Sequence, residues 1–191
     1  ELHTRWPQLG QLRGKQLGIV GIGRIGQAVA EKAPAFGMRV AYTARKPVDM
    51  AGAEHMPLDK LLATSDVVSL HTPWLKETEG MITGAHFAAM KAGATFINTA
   101  RGAIVNEAEM IAVLQQRPDL YAILDVTYPE TPEAGSPLYT MPNAVLTPHI
   151  AGSMNAECRR MGRTMVDELQ RYLAGEPLRW AISRERAALL A

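Results

Sequence analysis

A glycine pattern between residues 17 and 26 constrains the folds open to this chain more than any other stretch. An apolar run ends at Val20 and leads into Gly21, Gly23 and Gly26, after which a helical pattern begins. This G-x-G-x-x-G spacing alone is a weak signal, but it becomes strong where it follows a strand and opens a helix within a βαβ unit. We therefore predict a dinucleotide-binding turn, and the alternative is a glycine-rich turn that binds no ligand.

Each glycine has a distinct physical role in such a turn. Gly21 permits the tight turn off the strand, Gly23 lets a pyrophosphate approach the backbone, and Gly26 lets helix and strand pack closely. The N–H groups of Arg24 and Ile25 are expected to point at the phosphates from the positive end of the helix.

The composition narrows the class of protein. The chain has 191 residues, of which 47% are hydrophobic, and this suits one large domain or a domain with appendages. A formal net charge of +1 argues against a broad nucleic-acid-binding surface. The sequence shows no signal peptide, no apolar run of membrane-spanning length and no clustered Cys and His residues for a metal.

The single cysteine, Cys158, excludes a disulfide within the chain and fits a reducing cytoplasm. It falls in a helical pattern, so we expect a small packed side chain rather than a nucleophile. The methionines of the same pattern are expected to fill a core or an interface rather than to bind a metal.

Short apolar runs alternate with helical patterns along the whole chain, which predicts an α/β fold with a doubly wound parallel sheet, the Rossmann fold. Strands are predicted at 16–20, 38–43, 67–70, 95–98, 121–124 and 144–147. Helices are predicted at 24–36, 57–65, 83–90, from 107 onwards and at 153–174. We predict a lead-in at 1–14, the domain at 15–175 and a C-terminal tail at 176–191.

Two helix boundaries carry local signals. Pro34 lacks an N–H, so the last turn of the first helix should be loosened before Gly37 ends it. Asn106 is expected to cap the helix that follows it, with Glu109 placed for a capping box.

The residues that follow the second strand bear on the choice of cofactor. NAD-binding folds usually have an acidic residue there, which holds the adenosine ribose hydroxyls. Here Ala44 is flanked by Thr43, Arg45 and Lys46, and these cations suit a negatively charged 2′-phosphate. This favours NADP(H) over NAD(H), and the alternative interpretation is an ordinary solvated basic turn.

Three polar residues, Arg101, Glu130 and His149, lie just beyond the carboxyl ends of later strands, which converge on one crevice in this fold. An arginine can bind a carboxylate in bidentate fashion, a histidine can exchange a proton near neutral pH, and a glutamate can fix its tautomer. Together they suit reduction of a 2-keto acid. Singly, each could be a surface arginine, a loop glutamate or a capping histidine. His71, also after a strand, is expected to pack or hydrogen-bond locally.

The order and spacing of five motifs resemble one family. They are Gly21-Ile-Gly-Arg-Ile-Gly26, Leu70-His-Thr-Pro73, Ile97-Asn-Thr-Ala-Arg-Gly-Ala-Ile-Val-Asn106, Leu124-Asp-Val-Thr-Tyr-Pro-Glu130 and Thr147-Pro-His-Ile-Ala-Gly152. Over roughly residues 12–177 the sequence resembles the nucleotide-binding domain of the D-isomer-specific 2-hydroxyacid dehydrogenases. Residues 42–47 look like the NADPH-preferring glyoxylate/hydroxypyruvate reductase branch of that family.

The resemblance implies roles for particular residues. The catalytic trio would be Arg101, Glu130 and His149, while Asp125 and the backbone around Thr99 and Ala100 would hold the nicotinamide carboxamide. The cofactor-binding set so implied comprises Gly21, Gly23, Arg24, Ile25, Gly26, Thr43, Arg45, Lys46, Thr72, Pro73, Thr99, Ala100, Arg101, Asp125, His149, Ala151 and Gly152. The substrate would be a small 2-keto or 2-hydroxy acid, and the family usually dimerises through this domain, with the methionine-rich final helix as part of that face.

The chain also departs from the family pattern. Glu130-Thr131-Pro132 stands where the family usually has Glu-Pro. We expect the N-terminal substrate-domain segment of the family to be absent from this chain. Hydride transfer needs a closed, aligned site, so we expect this chain to bind cofactor but to turn over poorly or not at all.

Two other functions stay open at this point. The fold also serves dinucleotide-sensing transcriptional co-repressors of the C-terminal-binding-protein type, in which cofactor promotes assembly. A truncated, non-catalytic interaction module is the third interpretation. Retention of the trio favours the enzyme, although those co-repressors keep it too.

Overall fold

The predicted parallel sheet is confirmed by the computed structural model, which describes residues 10–187. Seven parallel strands lie in the order β3-β2-β1-β4-β5-β6-β7. They are β1 Gln16–Val20, β2 Arg39–Thr43, β3 Ala53–His55, β4 Val67–Leu70, β5 Thr95–Asn98, β6 Tyr121–Leu124 and β7 Ala144–Leu146.

Helices or 3₁₀ turns connect the successive strands, except β2 and β3, and cover the sheet. The α-helices are α1 Arg24–Lys32, α2 Leu58–Thr64, α3 Gly84–Ala89, α4 Glu107–Gln116, α5 Ala156–Leu173 and α6 Arg184–Ala187. Short 3₁₀ helices lie at Ala33–Phe36, Gly102–Ile104 and Pro137–Tyr139. Residues 1–9 of the predicted lead-in and 188–191 of the predicted tail fall outside the described residues, and the predicted boundaries at 14 and 175 stay predictions.

The register places the carboxyl ends of the strands in one row. Val20 of β1 lies opposite Thr43 on one side and Leu70 on the other. The row continues from β4 through Asn98 and Leu124 to the end of β7. The loops that leave these strands therefore start side by side, and the strand order reverses between β1 and β4, where open α/β sheets bind their ligands.

Two hydrophobic clusters, one on each side of the sheet, form the core. The larger contains Leu61, Leu62, Ile104 and an edge-to-face pair, Phe87 and Phe96, whose ring centroids are 4.9 Å apart. The smaller packs α1 against the sheet through Ile19, Tyr42 and their neighbours. Because both faces are covered, the strands read as continuous apolar runs rather than as alternating ones.

The first helix ends as its sequence predicts, since the α-helical part stops at Lys32 and a 3₁₀ turn containing Pro34 follows. Gly37 then adopts a left-handed conformation with φ 72°. Ile25, Val29, Ala33 and Phe36 recur at helical spacing and are therefore expected on one apolar side, but Ile25 and Phe36 are 70% and 62% exposed. Ile25 lies in the first turn of α1, and Phe36 is the last residue of the 3₁₀ turn.

The expectation that Cys158 is packed is wrong, because its side chain is exposed. Its helix, α5, has no buried residue. The amphipathic pattern of α5 therefore does not reflect a core within residues 10–187, and its methionines do not fill one. An interface remains their only predicted role.

β3, a three-residue edge strand, is not predicted from the sequence. The capping box predicted at the start of α4 is only half present. The Asn106 side chain accepts the N–H of Glu109 at 3.3 Å, as predicted. The Glu109 carboxylate does not return to Asn106 but accepts the N–H of Gly84 at 2.6 Å, which joins α4 to the start of α3.

Candidate active site

The glycine-rich turn has the geometry that a dinucleotide site needs. Gly21 has φ 97°, and a Cβ there would lie 2.9 Å from the backbone of His71 and Thr72, so only glycine fits. At Gly26 a Cβ would come within 2.2 Å of the Gly21 carbonyl oxygen. Strand and helix are therefore as close as the sequence predicts.

The N-terminus of α1 presents backbone donors that have no partner within residues 10–187, at the same edge of the sheet. Gly23 is the N-cap residue and offers no side-chain cap, and a Cβ there would meet no protein atom within 4 Å. Arg24 and Ile25 are exposed at the first two helical positions. Free N–H groups at the positive end of a helix, with open space above a glycine, fit a pyrophosphate.

The basic turn after β2 is held by buried Tyr42. Its hydroxyl donates to the Val48 carbonyl oxygen at 2.6 Å and accepts the Val48 N–H at 2.9 Å. These two bonds close the loop that carries Arg45 and Lys46, both exposed. Neither cation forms an ion pair with another residue between 10 and 187.

The polar side chains of the turn after β4 form hydrogen bonds with nearby residues. The His71 ring nitrogen Nε2 lies 2.9 Å from Ser69 Oγ, which confirms the predicted local hydrogen bond, and burial lowers the pKa of His71. The Thr72 hydroxyl donates to the last carbonyl of β1, on Val20, at 3.1 Å. Thr72 therefore borders the glycine turn, while the predicted part of Thr72 and Pro73 in cofactor binding stays a prediction.

Asn98, which sequence reasoning missed, shapes the loop that carries Arg101. Its side chain is 1% exposed, accepts the Ala100 N–H at 3.0 Å and donates to the Arg101 carbonyl at 3.0 Å. Arg101 itself is exposed, and its Nη1 donates to the Ala100 carbonyl at 2.7 Å. A polar residue that closes a buried strand before an Arg-Gly pair is the signal that could have identified Asn98.

Gly102 joins the Arg101 loop to the loop after β6. A Cβ on Gly102 would lie 2.0 Å from the carbonyl carbon of Thr127, so the two backbones are in direct contact. From Thr127 the chain passes through a cis Tyr128–Pro129 bond to Glu130. The Glu107 carboxylate, at the start of α4, accepts the Tyr128 N–H at 3.1 Å, and burial raises its pKa.

His149 and Glu130 form the one direct contact within the predicted catalytic trio. The His149 Nδ1 hydrogen-bonds Glu130 Oε1. Since a carboxylate only accepts, Nδ1 carries the proton, and Nε2 has no hydrogen-bond partner among residues 10–187. The two side chains are 45% and 55% exposed. Arg101 lies at the same sheet edge, but it makes no hydrogen bond or ion pair with either of them.

Asp125 organises the loop that presents His149. Its carboxylate, in a residue only 4% exposed, accepts the Thr147 hydroxyl at 2.5 Å and the N–H groups of Ile150 and Ala151, both at 2.8 Å. His149 itself has φ 52°, and its N–H donates to the Asp125 carbonyl at 3.1 Å. These bonds hold the histidine in an otherwise unfavourable backbone conformation.

The pKa of Asp125 lies below its usual value. Burial raises it, but the hydrogen bonds from Thr147, Ala151 and Ile150, together with nearby His149, lower it by more. The carboxylate is therefore ionised near neutral pH. Its two oxygens can accept about four hydrogen bonds, so a nicotinamide carboxamide could add one more, and that predicted role stays a prediction.

A cavity of about 300 Å³ adjoins the histidine–glutamate pair. Its walls include Thr131, Pro132 and Tyr139 on the long loop, and the Tyr139 hydroxyl donates to the Pro132 carbonyl at 2.9 Å. This hydrogen bond fixes the path of the segment after Glu130, where the sequence differs from the usual family pattern.

Residues 10–187 contain no group of three or more His, Cys, Asp or Glu side chains that could hold a metal ion. In the same range no helix is long and apolar enough to cross a bilayer.

Similarity to known proteins agrees with this geometry. Residues 3–151 match the family described as D-isomer specific 2-hydroxyacid dehydrogenase, NAD binding domain. A glyoxylate reductase of Thermococcus litoralis is 40% identical over 169 residues, which are 86% of this chain and 51% of that protein. A hydroxypyruvate reductase of Blautia hydrogenotrophica is 36% identical over 171 residues, 88% of this chain and 53% of that protein. The chain thus spans about half the length of these relatives.

Solved structures show the same fold. The TT0316 protein of Thermus thermophilus superposes with a TM-score of 0.81 at 45% identity, covering 92% of this chain and 56% of that one. An acyclic imino acid reductase in complex with NADPH and D-Arg has a TM-score of 0.80 at 32% identity, and the match covers 91% of this chain and 55% of that one. D-lactate dehydrogenase of Lactobacillus jensenii with NAD⁺ has a TM-score of 0.81 at 30% identity, and the match covers 92% of this chain and 57% of that one. With the family match covering most of its length, this chain belongs to the D-isomer specific 2-hydroxyacid dehydrogenases, as their NAD-binding domain.

Proposed function

We propose that the chain is the cofactor-binding half of an NADP(H)-dependent reductase of small 2-keto acids, of the glyoxylate/hydroxypyruvate class. The hydrogen-bonded His149–Glu130 pair, beside the loop of Arg101 at the carboxyl edge of the sheet, is the observation that carries this proposal. Relatives named glyoxylate reductase and hydroxypyruvate reductase support the substrate class.

Each residue of the site has its own role in the proposed reaction. A reduced nicotinamide dinucleotide held at Gly21, Gly23 and Gly26 would supply the hydride that reduces a 2-keto acid. His149 Nε2 donates a proton to the carbonyl oxygen, and Glu130 stabilises the imidazolium through Nδ1. Arg101 pairs with the substrate carboxylate. Asp125 and its three hydrogen bonds keep His149 in position.

Slow turnover by this chain alone stays a prediction. The catalytic pair is about half exposed, whereas proton and hydride transfer favour a site closed to water. Cofactor-saturable reduction of glyoxylate by this chain would overturn that prediction. The homodimer and the cytoplasmic location also stay predictions.

The preference for NADP(H) rests on the turn after β2. The turn lacks a carboxylate and presents Arg45 and Lys46 without competing ion pairs among the described residues. A 2′-phosphate can accept charge-assisted hydrogen bonds from these side chains, while a ribose hydroxyl gains little from them. The solved relatives include complexes with NADPH and with NAD⁺, so the comparisons leave the preference open and the proposal rests on this turn.

Arg45→Gln is expected to weaken NADPH binding about 10- to 100-fold and to change NADH binding less than twofold, because it removes one charged hydrogen bond to phosphate. Calorimetric titration of the chain with each cofactor measures both effects. Arg39→Gln is the matched control, since Arg39 is exposed at the start of β2, at the opposite end of the strand from the turn that carries Arg45. Equal losses for the two cofactors, or tighter NADH binding by the unmodified chain, would contradict the preference.

A further inference from the structure

Arg24 is the charged side chain at the phosphate-binding end of α1, and it contacts a distant part of the chain. Its guanidinium carbon lies 5.6 Å from the ring centroid of Trp180, which belongs to the segment after α5. Arg24 forms no ion pair with any residue between 10 and 187. Among these described residues, the contact with the indole is what restricts the Arg24 side chain.

The backbone that carries Trp180 is held by hydrogen bonds to α5. The carboxylate of Glu168, on α5, accepts the N–H groups of Arg179 at 3.3 Å and Trp180 at 3.0 Å. That carboxylate side chain is only 12% exposed, and Arg171 lies 4.0 Å from it. Arg171 also pairs with Glu176 at 2.9 Å, so the turn after α5 is fixed at two points.

Stacking against an aromatic ring leaves a guanidinium able to bind an anion. The ring covers one planar face, whereas the N–H groups point outward in the plane of the guanidinium. A long arginine side chain loses considerable rotamer freedom when it binds phosphate, and a contact that already restricts the side chain reduces that loss. The indole and a diphosphate therefore do not compete for the same surface of Arg24.

We propose that Trp180 is a positioning residue that holds the Arg24 guanidinium ready for the diphosphate of a bound dinucleotide. This inference rests on the proposed function, because it needs a cofactor at the glycine turn. It assigns the segment after α5 a part in cofactor binding. The segment acts through Arg24 and needs no contact of its own with the cofactor.

Titration calorimetry of the chain with NADH and NADPH tests the proposal. Trp180→Ala is expected to raise both dissociation constants about two- to fivefold, which is the range of an exposed cation–π contact. Trp180→Phe should keep most of the affinity of the unmodified chain, and Glu168→Gln should also raise both dissociation constants. Ile182→Ala is the control, since Ile182 is 58% exposed in the same segment and should leave both constants unchanged.

A double-mutant cycle separates positioning from general destabilisation. In an Arg24→Gln background, Trp180→Ala should have no further effect, because the contact it removes is already gone. Equal effects of Trp180→Ala in both backgrounds, or an unchanged constant in the single variant, would overturn the inference while the cofactor site stands. Failure of the unmodified chain to bind either nucleotide would overturn the proposed function and this inference with it.

Discussion

Gly102→Ala is expected to lower the free energy of unfolding by about 3 kcal/mol or more, and so to lower the melting temperature by roughly 6–12 °C. The added methyl would lie 2.0 Å from the Thr127 carbonyl carbon. Backbone has to move there, because no flexible side chain can give way. Thermal and urea unfolding followed by circular dichroism measure the change.

The matched control is Gly162→Ala, for which the expected sign is opposite. Gly162 lies inside α5, and a Cβ there would meet no atom within 4 Å. Alanine in an exposed helix interior is favoured over glycine by about 1 kcal/mol, so this variant should be slightly more stable than the unmodified chain. Equal stability of Gly102→Ala and the unmodified chain would show that the two loops do not touch in solution.

Asp125→Asn is expected to destabilise the folded chain by about 2 kcal/mol at neutral pH, because an amide has one acceptor oxygen where the carboxylate has two. One oxygen of Asp125 accepts from Thr147 and Ile150, and the other accepts from Ala151. In the variant an NH₂ group has to face a donor. The measurement is chemical unfolding of both proteins at pH 7.

The loss of stability at acid pH tests the direction of the pKa shift of Asp125. The folded-state pKa of Asp125 is lowered below 3.8, so its contribution to stability is complete above about pH 5 and is lost as pH falls through the folded pKa. The difference between the unmodified chain and Asp125→Asn should therefore shrink below pH 4. Asp49→Asn is the control, since Asp49 is exposed and has no hydrogen bond or ion pair with another residue in 10–187. A difference that is constant from pH 7 to pH 3 would contradict the assignment.

The sequence predicted the sheet well because its strands are bounded by strong local signals. β1 and β4–β6 are apolar runs ended by glycine, a polar residue or proline, and their predicted limits agree with the structure. The placement of Arg101, Glu130 and His149 at one edge follows from parallel strands in register, which the alternation of elements implies. β3 was missed because it has three residues, Ala53–His55, and two of them are exposed.

The supporting contacts of the site could not be predicted, because they join residues far apart in the chain. Asp125 reaches backbone donors that lie 25 and 26 residues further on. The Glu109 carboxylate leaves its capping box for Gly84, 25 residues earlier. The prediction that Cys158 is packed was wrong for a different reason. Helical periodicity shows that a helix has an apolar face, but it does not show whether the same chain covers that face.

The central claim is that a nicotinamide dinucleotide binds at the glycine turn with its diphosphate over the start of α1. The most direct measurement is the change in backbone amide chemical shifts when NADPH or NADH is added to the isotope-labelled chain. The expected result is that the amides of Gly23, Arg24 and Ile25 shift most, with further shifts at Thr99 and Ala100 across the crevice. Saturation with either nucleotide that leaves those three amides unmoved would contradict the account.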